Sequence, residues 1–170
     1  MRNSRKVIFA GVMVLLVGSP LYYFLNEKLS RGVYHQGFYY KKVDLKAIGA
    51  FELDPQTGSL ADLPNQYRAL DGQKLFLEGE IYDPQEAGKD ITEFQLVGMR
   101  RGDFCGPPRV QERVFCTVPN EKLNYRGPGY HKVFGTLHVT MKREKLADGR
   151  NCLIEVYHLD ADSVERSKSD

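Results

Sequence analysis

The chain lacks the motifs by which many enzymes are recognised in a sequence. It contains no G-x-S-x-G, no H-E-x-x-H and no glycine-rich loop that could cradle a phosphate. Few serines follow residue 25, and none lies in a sequence motif typical of a nucleophilic serine. Glu78 and Glu80 share one face of a predicted strand and could act as an acid/base pair, but exposed strand carboxylates are far commoner than catalytic ones. The sequence therefore predicts a protein that is not an enzyme.

Cysteine is scarce as well. The three cysteines, Cys105, Cys116 and Cys152, are odd in number, so at most one internal disulfide can form. Cys105–Cys116, Cys116–Cys152 and no disulfide at all remain open as alternatives. No C-x-x-C occurs and no Cys and His fall at zinc-finger spacing, and a redox catalyst would need an exposed thiolate with a lowered pKa. Buried or singly paired thiols are the favoured interpretation.

The chain also lacks a large excess of positive or negative charge. The chain has 24 Lys and Arg, 22 Asp and Glu, and a net charge of +2, with the two signs interspersed almost throughout. Proteins that bind nucleic acid usually concentrate basic residues on one face or in one arm, so we expect no nucleic-acid partner. The exception is the segment 1–6, which holds Arg2, Arg5 and Lys6 and no acid.

Residues 7–25 contain no charged side chain. As a helix they would be about 28 Å long, close to the thickness of a bilayer core. The basic segment before them favours an N-terminus in the cytoplasm and a domain on the extracytoplasmic, periplasmic side of the inner membrane. A cleaved signal peptide is the alternative, but the bulky Leu-Tyr-Tyr-Phe-Leu of residues 21–25 does not resemble a cleavage site. We expect an uncleaved single-pass anchor.

The rest of the chain divides by composition. The expected segments are a cytoplasmic basic segment 1–6, the transmembrane anchor 7–25, a juxtamembrane spacer 26–42, a β domain 43–165 and a tail 166–170. The spacer is rich in aromatics, which could pack on the domain or rest at the lipid surface. Packing is the favoured interpretation.

Five short segments have the alternation typical of strands: 74–82, 91–97, 110–118, 132–141 and 152–161. Gly79 and Gly135 lie inside the first and fourth, and Gly79 indicates a bulge or a tight bend. Regular short strands without long helices favour a five-stranded, OB-like β-barrel, because closure of a small barrel requires sharp coiling at chosen points. A small β-sandwich is the alternative. A brief helical turn is expected around "NQYRAL".

The blocks "ALDGQKLFLEGEIYDP", "ITEFQLV", "CGPPRVQERVF", "VFGTLHV" and "VYHLDADSVE" resemble those of a bacterial family of exported proteins, domain of unknown function 3299, and most of all its planctomycete-type members. The resemblance covers about residues 43–165. It implies an extracytoplasmic, mostly β domain behind a signal or anchor, often encoded beside ABC-transporter-type components, some of them in settings that suggest metal handling. Many members carry two adjacent cysteines before Gly-Pro-Pro. Here that pair is Phe104–Cys105, which weakens a thiolate-metal interpretation.

One polar group has the composition of a metal site. His158 and Asp160 are two apart in a predicted strand and so share a face, as does Asp162. His138, on the preceding predicted strand, could join them. Imidazole and carboxylate are ligands for zinc or another divalent ion. The commoner alternative is a solvated pair or a cross-strand hydrogen bond.

The Gly-Pro-Pro loop is the candidate partner contact. Glycine permits a positive φ, and consecutive prolines stop one strand before the next begins. The predicted contact residues are Phe104, Cys105, Gly106, Pro107, Pro108 and Arg109. We expect a non-enzymatic accessory or binding subunit of an envelope complex such as a transporter. The alternatives are a divalent-metal-binding protein and thiol redox chemistry at Cys105.

Overall fold

A computed structural model describes residues 32–82, 90–98, 107–118, 123–125, 127–147 and 149–167. The chain divides into two units, 1–32 and 33–170, and the description below concerns the second. No helix among the described residues is long and apolar enough to cross a membrane. The predicted anchor, 7–25, lies outside those residues.

The described part is mainly β, with two short helices. The strands are β1 Gly32–His35, β2 Phe38–Lys42, β3 Lys74–Tyr82, β4 Asp90–Ile91, β5 Glu93–Val97, β6 Arg113–Thr117, β7 Leu123–Asn124, β8 Tyr130–Lys145 and β9 Asn151–Arg166. The helices are α1 Leu45–Ile48 and α2 Asn65–Arg68, and 3-10 turns occur at Leu60–Asp62 and Val110–Glu112. The expected helical turn around "NQYRAL" is therefore confirmed as α2.

The main sheet has seven strands in the order β1-β2-β3-β5-β6-β9-β8, and β3 also pairs with β8. β3 is antiparallel to both β5 and β8, whereas β6 and β9 are parallel. Following the paired strands from β3 through β5, β6, β9 and β8 therefore leads back to β3. β4 and β7 form a separate two-stranded ladder.

The alternation seen in the sequence points one face of these strands inward. The predicted inward residues of the first segment, Leu75, Leu77 and Ile81, are all buried in one core. The same holds for Val114 and Cys116 of β6 and for their neighbours on β8 and β9. Burial of these apolar side chains supplies the main driving force for the fold.

The two strand glycines have different roles. At Gly135 the register between β8 and β9 shifts, which marks a bulge, and a Cβ there would lie 2.3 Å from the carbonyl oxygen of Asp160. At Gly79, where the sequence indicates a bulge or a tight bend, pairing with β8 is regular and shows no bulge. There a Cβ would lie 2.4 Å from the Val97 carbonyl and 2.7 Å from Leu45, so close approach of backbone and α1 accounts for the glycine.

The strand boundaries differ from expectation in several places. β8 and β9 extend beyond the predicted segments 132–141 and 152–161 at both ends. Residues 32–42, expected in the spacer, form the hairpin β1–β2, which joins the sheet by parallel pairing of β2 with β3. In β2 a single residue, Tyr40, is buried, so the strand has no apolar alternation by which to recognise it. Residue 92 separates β4 from β5, and residues 110–112 form a 3-10 turn before β6 begins.

Candidate functional site

The three predicted metal ligands meet on the outer surface of β8 and β9. His138 lies directly opposite His158 in the antiparallel ladder. The Asp160 carboxylate reaches both rings, with Oδ2 3.2 Å from Nε2 of His138 and Oδ1 3.4 Å from Nε2 of His158. The intervening Leu137 and Leu159 point into the core. Strand alternation thus brings these side chains together as predicted.

Two further residues, missed in the sequence, complete this polar cluster. Nδ1 of His158 lies 3.0 Å from Oε1 of the buried Glu155, and its Nε2 lies 3.1 Å from Oγ1 of Thr117 on β6. The Thr140 hydroxyl donates to the same Glu155 oxygen. Strict alternation places residues three apart on opposite faces, so the pattern carries no signal for the contact between Glu155 and His158.

Asp162 departs from its expected position. The bulge at Gly135 leaves Asp162 as the extra residue between Ala161 and Ser163 of β9. Its Oδ2 accepts hydrogen bonds from the Tyr40 hydroxyl at 3.0 Å and from Lys74 Nζ at 2.8 Å. Asp162 therefore contacts the β1–β2 hairpin and β3, because the bulge breaks the alternation on which the prediction rested.

Thr117, His158 and Glu155 stand in the order hydroxyl, imidazole, carboxylate, which is the order of an activated nucleophile. β6 lies between β5 and β9, and Thr117 pairs with Glu93 on one side and Asp160 on the other. Thr117 therefore lies on a central strand of the sheet.

The same cluster has the donor types of a zinc site. Within the described ranges, however, no group of three or more His, Cys, Asp or Glu side chains is arranged to hold a metal ion. Asp160 instead bridges the two imidazoles across the strands. More than half of the Asp160 side chain is exposed, and exposed groups of this kind reorient at small cost.

The second predicted site is described only in part, because Phe104, Cys105 and Gly106 lie outside the described residues. Pro107 is exposed and Pro108 is buried, so only the first proline is available to a partner. The Glu112 carboxylate accepts from the Arg109 backbone N–H and from Nε, both at 2.8 Å. This pair closes the 3-10 turn Val110–Glu112 and fixes the direction of Arg109.

Further along the turn, the side chain of Arg113 is bound within the protein and is not available to a partner. Arg113 donates to the Gln95 amide oxygen at 3.1 Å, and burial lowers the pKa of its guanidinium. Its Nε is buried without a hydrogen-bond partner. Arg109, held by Glu112, is the exposed basic group of the described part of the turn.

A cavity of about 220 Å³ opens beside this turn. Asp44 caps the first turn of α1 by accepting from the Lys46 N–H at 2.9 Å, and Gly49 ends it. A Cβ on Gly49 would lie 2.9 Å from Glu112 Cα, and one on Gly98 would lie 2.8 Å from Leu45 Cβ. The residues lining the cavity are Leu45, Lys46, Gly49, Ala50, Gly98, Arg109 and Glu112.

The described thiols do not form a reactive site. Cys116 and Cys152 are both free, and Cys105 lies outside the described residues. Cys116 is buried in the core, as expected, and burial raises the pKa of its thiol. Because the thiolate is the nucleophile and the metal ligand, Cys116 has neither role in the folded chain.

Comparison with known proteins adds one match. No protein-family model matches the chain, and no curated protein matches it. The chain is similar in structure to a DUF3299 family protein from Pseudomonas aeruginosa PAO1, with 19% identity and a TM-score of 0.47 over 77% of this chain and 98% of the other. The family named for that protein is the one that the sequence blocks resemble.

Proposed function

We propose that this chain is a membrane-anchored, extracytoplasmic, non-enzymatic binding module, an accessory subunit of an envelope complex such as a transporter. It binds by accepting one apolar side chain of its partner into the cavity beside the Pro107–Arg109 turn. The observation that supports this most directly is the coincidence of that cavity with the turn predicted as the contact loop.

The fold supports a surface site. The ring of pairings among β3, β5, β6, β9 and β8, with β6 parallel to β9, has the strand arrangement of an OB-like barrel. Small barrels of this kind are filled by their own side chains. Here Leu77, Leu96 and Leu159 are among the inward residues with no exposed surface. A ligand is therefore expected on the outside of the barrel.

The size of the cavity argues for a protein partner. Sites for cofactors and drug-sized molecules usually have volumes of about 300–1,000 Å³, above the 220 Å³ measured here. An apolar cavity of about 150 Å³ is enough for benzene. The space thus suits a single leucine- or phenylalanine-sized side chain better than a cofactor.

The charged groups at the rim of the cavity indicate which type of partner residue would lie next to that apolar side chain. The floor is apolar, from the buried Leu45, and Ala50 is exposed at the rim. The Glu112 carboxylate is already paired with Arg109. Lys46 is exposed at the rim and lies in the last turn of α1. A partner segment with an apolar residue next to an acidic one would satisfy both the floor and Lys46.

Site-specific photocrosslinking in cells tests the proposal. A photoreactive residue in place of Lys46 should form an adduct with a membrane protein, which mass spectrometry identifies. Ala50→Phe fills the cavity from its rim and should reduce that adduct by about tenfold, a loss expected at the centre of an interface. Ala61→Phe is the matched control, because Ala61 is exposed and does not line the cavity.

Two results would contradict this proposal. One is the absence of any adduct from the Lys46 position while the protein is folded and present in the membrane fraction. The other is an adduct that Ala50→Phe and Ala61→Phe leave equally strong, since binding would then not use the cavity.

Divalent-metal binding is a second candidate function, favoured by the convergence of His138, Asp160 and His158. With contacts of 3.2 and 3.4 Å between them, the two imidazoles and the carboxylate would come within reach of one ion after a change of rotamer. Titration of the purified full chain with Zn²⁺ tests it. His158→Ala should weaken binding by more than about tenfold, and His35→Ala, outside the cluster, should not. Absence of saturable binding to the wild type would eliminate this candidate.

A further inference from the structure

The hairpin β1–β2 exposes an aromatic surface. Tyr34 is 79% exposed, Phe38 56% and Tyr39 42%, and Val33 beside them is also exposed. The rings of Tyr34 and Tyr39 contact each other edge to face at 5.2 Å. Four large apolar side chains in so short a segment are more than scattered surface residues, and such patches usually mark an interaction site.

Two other side chains of the same hairpin, His35 and Tyr40, are tightly packed. His35 stacks on Phe134 at 4.1 Å and its Nε2 lies 3.0 Å from the Ser163 hydroxyl. Tyr40 is buried, and its hydroxyl donates to Asp162. The hairpin is therefore fixed to β8 and β9, and its exposed aromatics hold a set direction relative to the barrel.

The turn contributes to this geometry. Gln36 and Gly37, the two residues between the strands, both have positive φ, at 48° and 84°. That is the backbone of a tight two-residue hairpin turn, which matches the twist of the strands it joins. Tyr34 and Phe38 thus lie close to a compact tip.

Cations surround the aromatic surface. Lys41 and Lys42 of β2 are exposed, and the Lys74 ammonium lies 4.8 Å from the centre of the Phe38 ring. The acidic groups beside them, Asp162 and Glu78, already contact Lys74 and Lys42. Aromatic side chains flanked by lysines are complementary to the interface of an anionic bilayer.

The length of the intervening chain limits where the hairpin can be. Seven residues, 26–32, separate the end of the apolar segment from Val33. Even fully extended, they span at most about 25 Å. If residues 7–25 cross the bilayer, the hairpin cannot move far from the membrane surface.

We infer that the β1–β2 hairpin is a second membrane contact, with Tyr34, Phe38 and Tyr39 in the headgroup layer of the bilayer that holds residues 7–25 and the lysines near the lipid phosphates. This inference rests on the membrane anchor of the proposed function. It adds an orientation: the barrel is held against the bilayer by its β2 side, not suspended from a free tether.

Fluorescence provides a direct test, since the chain has no tryptophan. Tyr34→Trp places a single indole at the tip of the full-length chain, reconstituted at low copy number in vesicles of phosphatidylethanolamine and phosphatidylglycerol. Lipids brominated near the headgroup should quench its emission at least about twofold, as expected for a ring at the interface. Leu60→Trp and Leu146→Trp are matched controls at other exposed apolar positions, and should not be quenched.

Each alternative gives a distinct result. Quenching of the Tyr34→Trp protein no stronger than that of the controls overturns the inference. A blue shift without quenching also overturns it, because a second copy of the chain would then cover the hairpin. Flotation of the wild-type chain with the vesicles separates the two proposals. A chain that floats but is not quenched contradicts the hairpin contact alone, and one that fails to float contradicts the anchor and the contact together. Phe38→Trp repeats the test should Tyr34→Trp disturb folding.

Discussion

Strands β8 and β9 present two very different outer surfaces along their length. Around Phe134 and Ser163 the surface is covered by the β1–β2 hairpin, and aromatic rings stack there. Around His138 and His158 the surface is open, and polar side chains contact one another. The same antiparallel ladder supports both, so the difference comes from what covers each end.

The outer surface of one pair of strands can therefore have two different environments. Phe134 belongs to the outward set of β8 but is 3% exposed, because Tyr40 and Phe76 join it in a second, separate apolar cluster. His138 belongs to the same set and remains exposed. The bulge at Gly135 lies between the two surfaces. We interpret the covered end as structural and the open end as available for contact.

The largest effect is expected at the covered end. Phe134→Ala removes the ring on which His35, Phe76 and Tyr40 pack, and should reduce the free energy of unfolding by about 3–5 kcal/mol. Phe38 is an exposed ring in the β1–β2 hairpin that covers Phe134. Phe38→Ala should change the free energy of unfolding by less than about 0.5 kcal/mol. Urea unfolding measures both. Equal effects would show that the second cluster is not a core.

The second-largest effect on stability is expected at Gly135, which lies at the boundary between the two surfaces. Gly135→Ala forces a Cβ against the Asp160 carbonyl and should cost about 1–3 kcal/mol, as for other overpacked sites. The same change should displace Asp162 from Tyr40 and Asp160 from the histidines, because both follow from the bulge. NMR shifts of the Tyr40 and His158 rings would report this. An unaltered stability would mean that the bulge relaxes freely.

The two ends each contain a histidine bonded to a hydroxyl, which allows a matched pair of variants. His35→Ala loses a stacked ring and a hydrogen bond at the covered end, for about 1–3 kcal/mol in all. His158→Ala loses contacts at a surface open to water and should cost less than about 1 kcal/mol. A larger cost for His158→Ala than for His35→Ala, by urea unfolding, would reverse our assignment of the two ends.

These elements also show what the sequence could predict. β3 was predicted with its observed bounds, because Leu75, Leu77 and Ile81 recur at every second position together with Gly79, and all three are buried. The meeting of His138 with His158 followed from alternation together with neighbouring strands. The hairpin could not be recognised, since β2 buries one side chain and pairs with β3 over only two residues, Lys41 and Lys42.

The remaining site features depend on irregular backbone. Asp162 left its predicted group because of a bulge whose extra residue alternation cannot locate. Glu155 reaches His158 against the strand period. The cavity is bounded by Gly49 and Gly98, whose close approach to Glu112 and Leu45 is a tertiary effect with no local signature. Periodicity therefore predicts faces, but it does not predict where a face is interrupted or covered.

The smallest expected difference between the two ends is in how the free energy of unfolding changes at alkaline pH. At the covered end, burial and the neighbouring Asp162 raise the pKa of Tyr40 above its ordinary value of 10.0, and the hydrogen bond to Asp162 raises that of Lys74 above 10.5. Above about pH 10 the unfolded chain therefore holds fewer protons at these groups than the folded chain does, so stability falls as pH rises.

Tyr40→Phe removes one of these titrations, and Lys74→Met removes the other. Each should make the decline in the free energy of unfolding between about pH 9 and pH 11 shallower than in the wild type, as measured by urea unfolding at each pH. His158→Ala at the open end removes neither Tyr40 nor Lys74 and should leave the slope unchanged. If neither Tyr40→Phe nor Lys74→Met alters the slope, the contacts with Asp162 do not hold the hairpin in solution, and the covered end would then be no more structural than the open one.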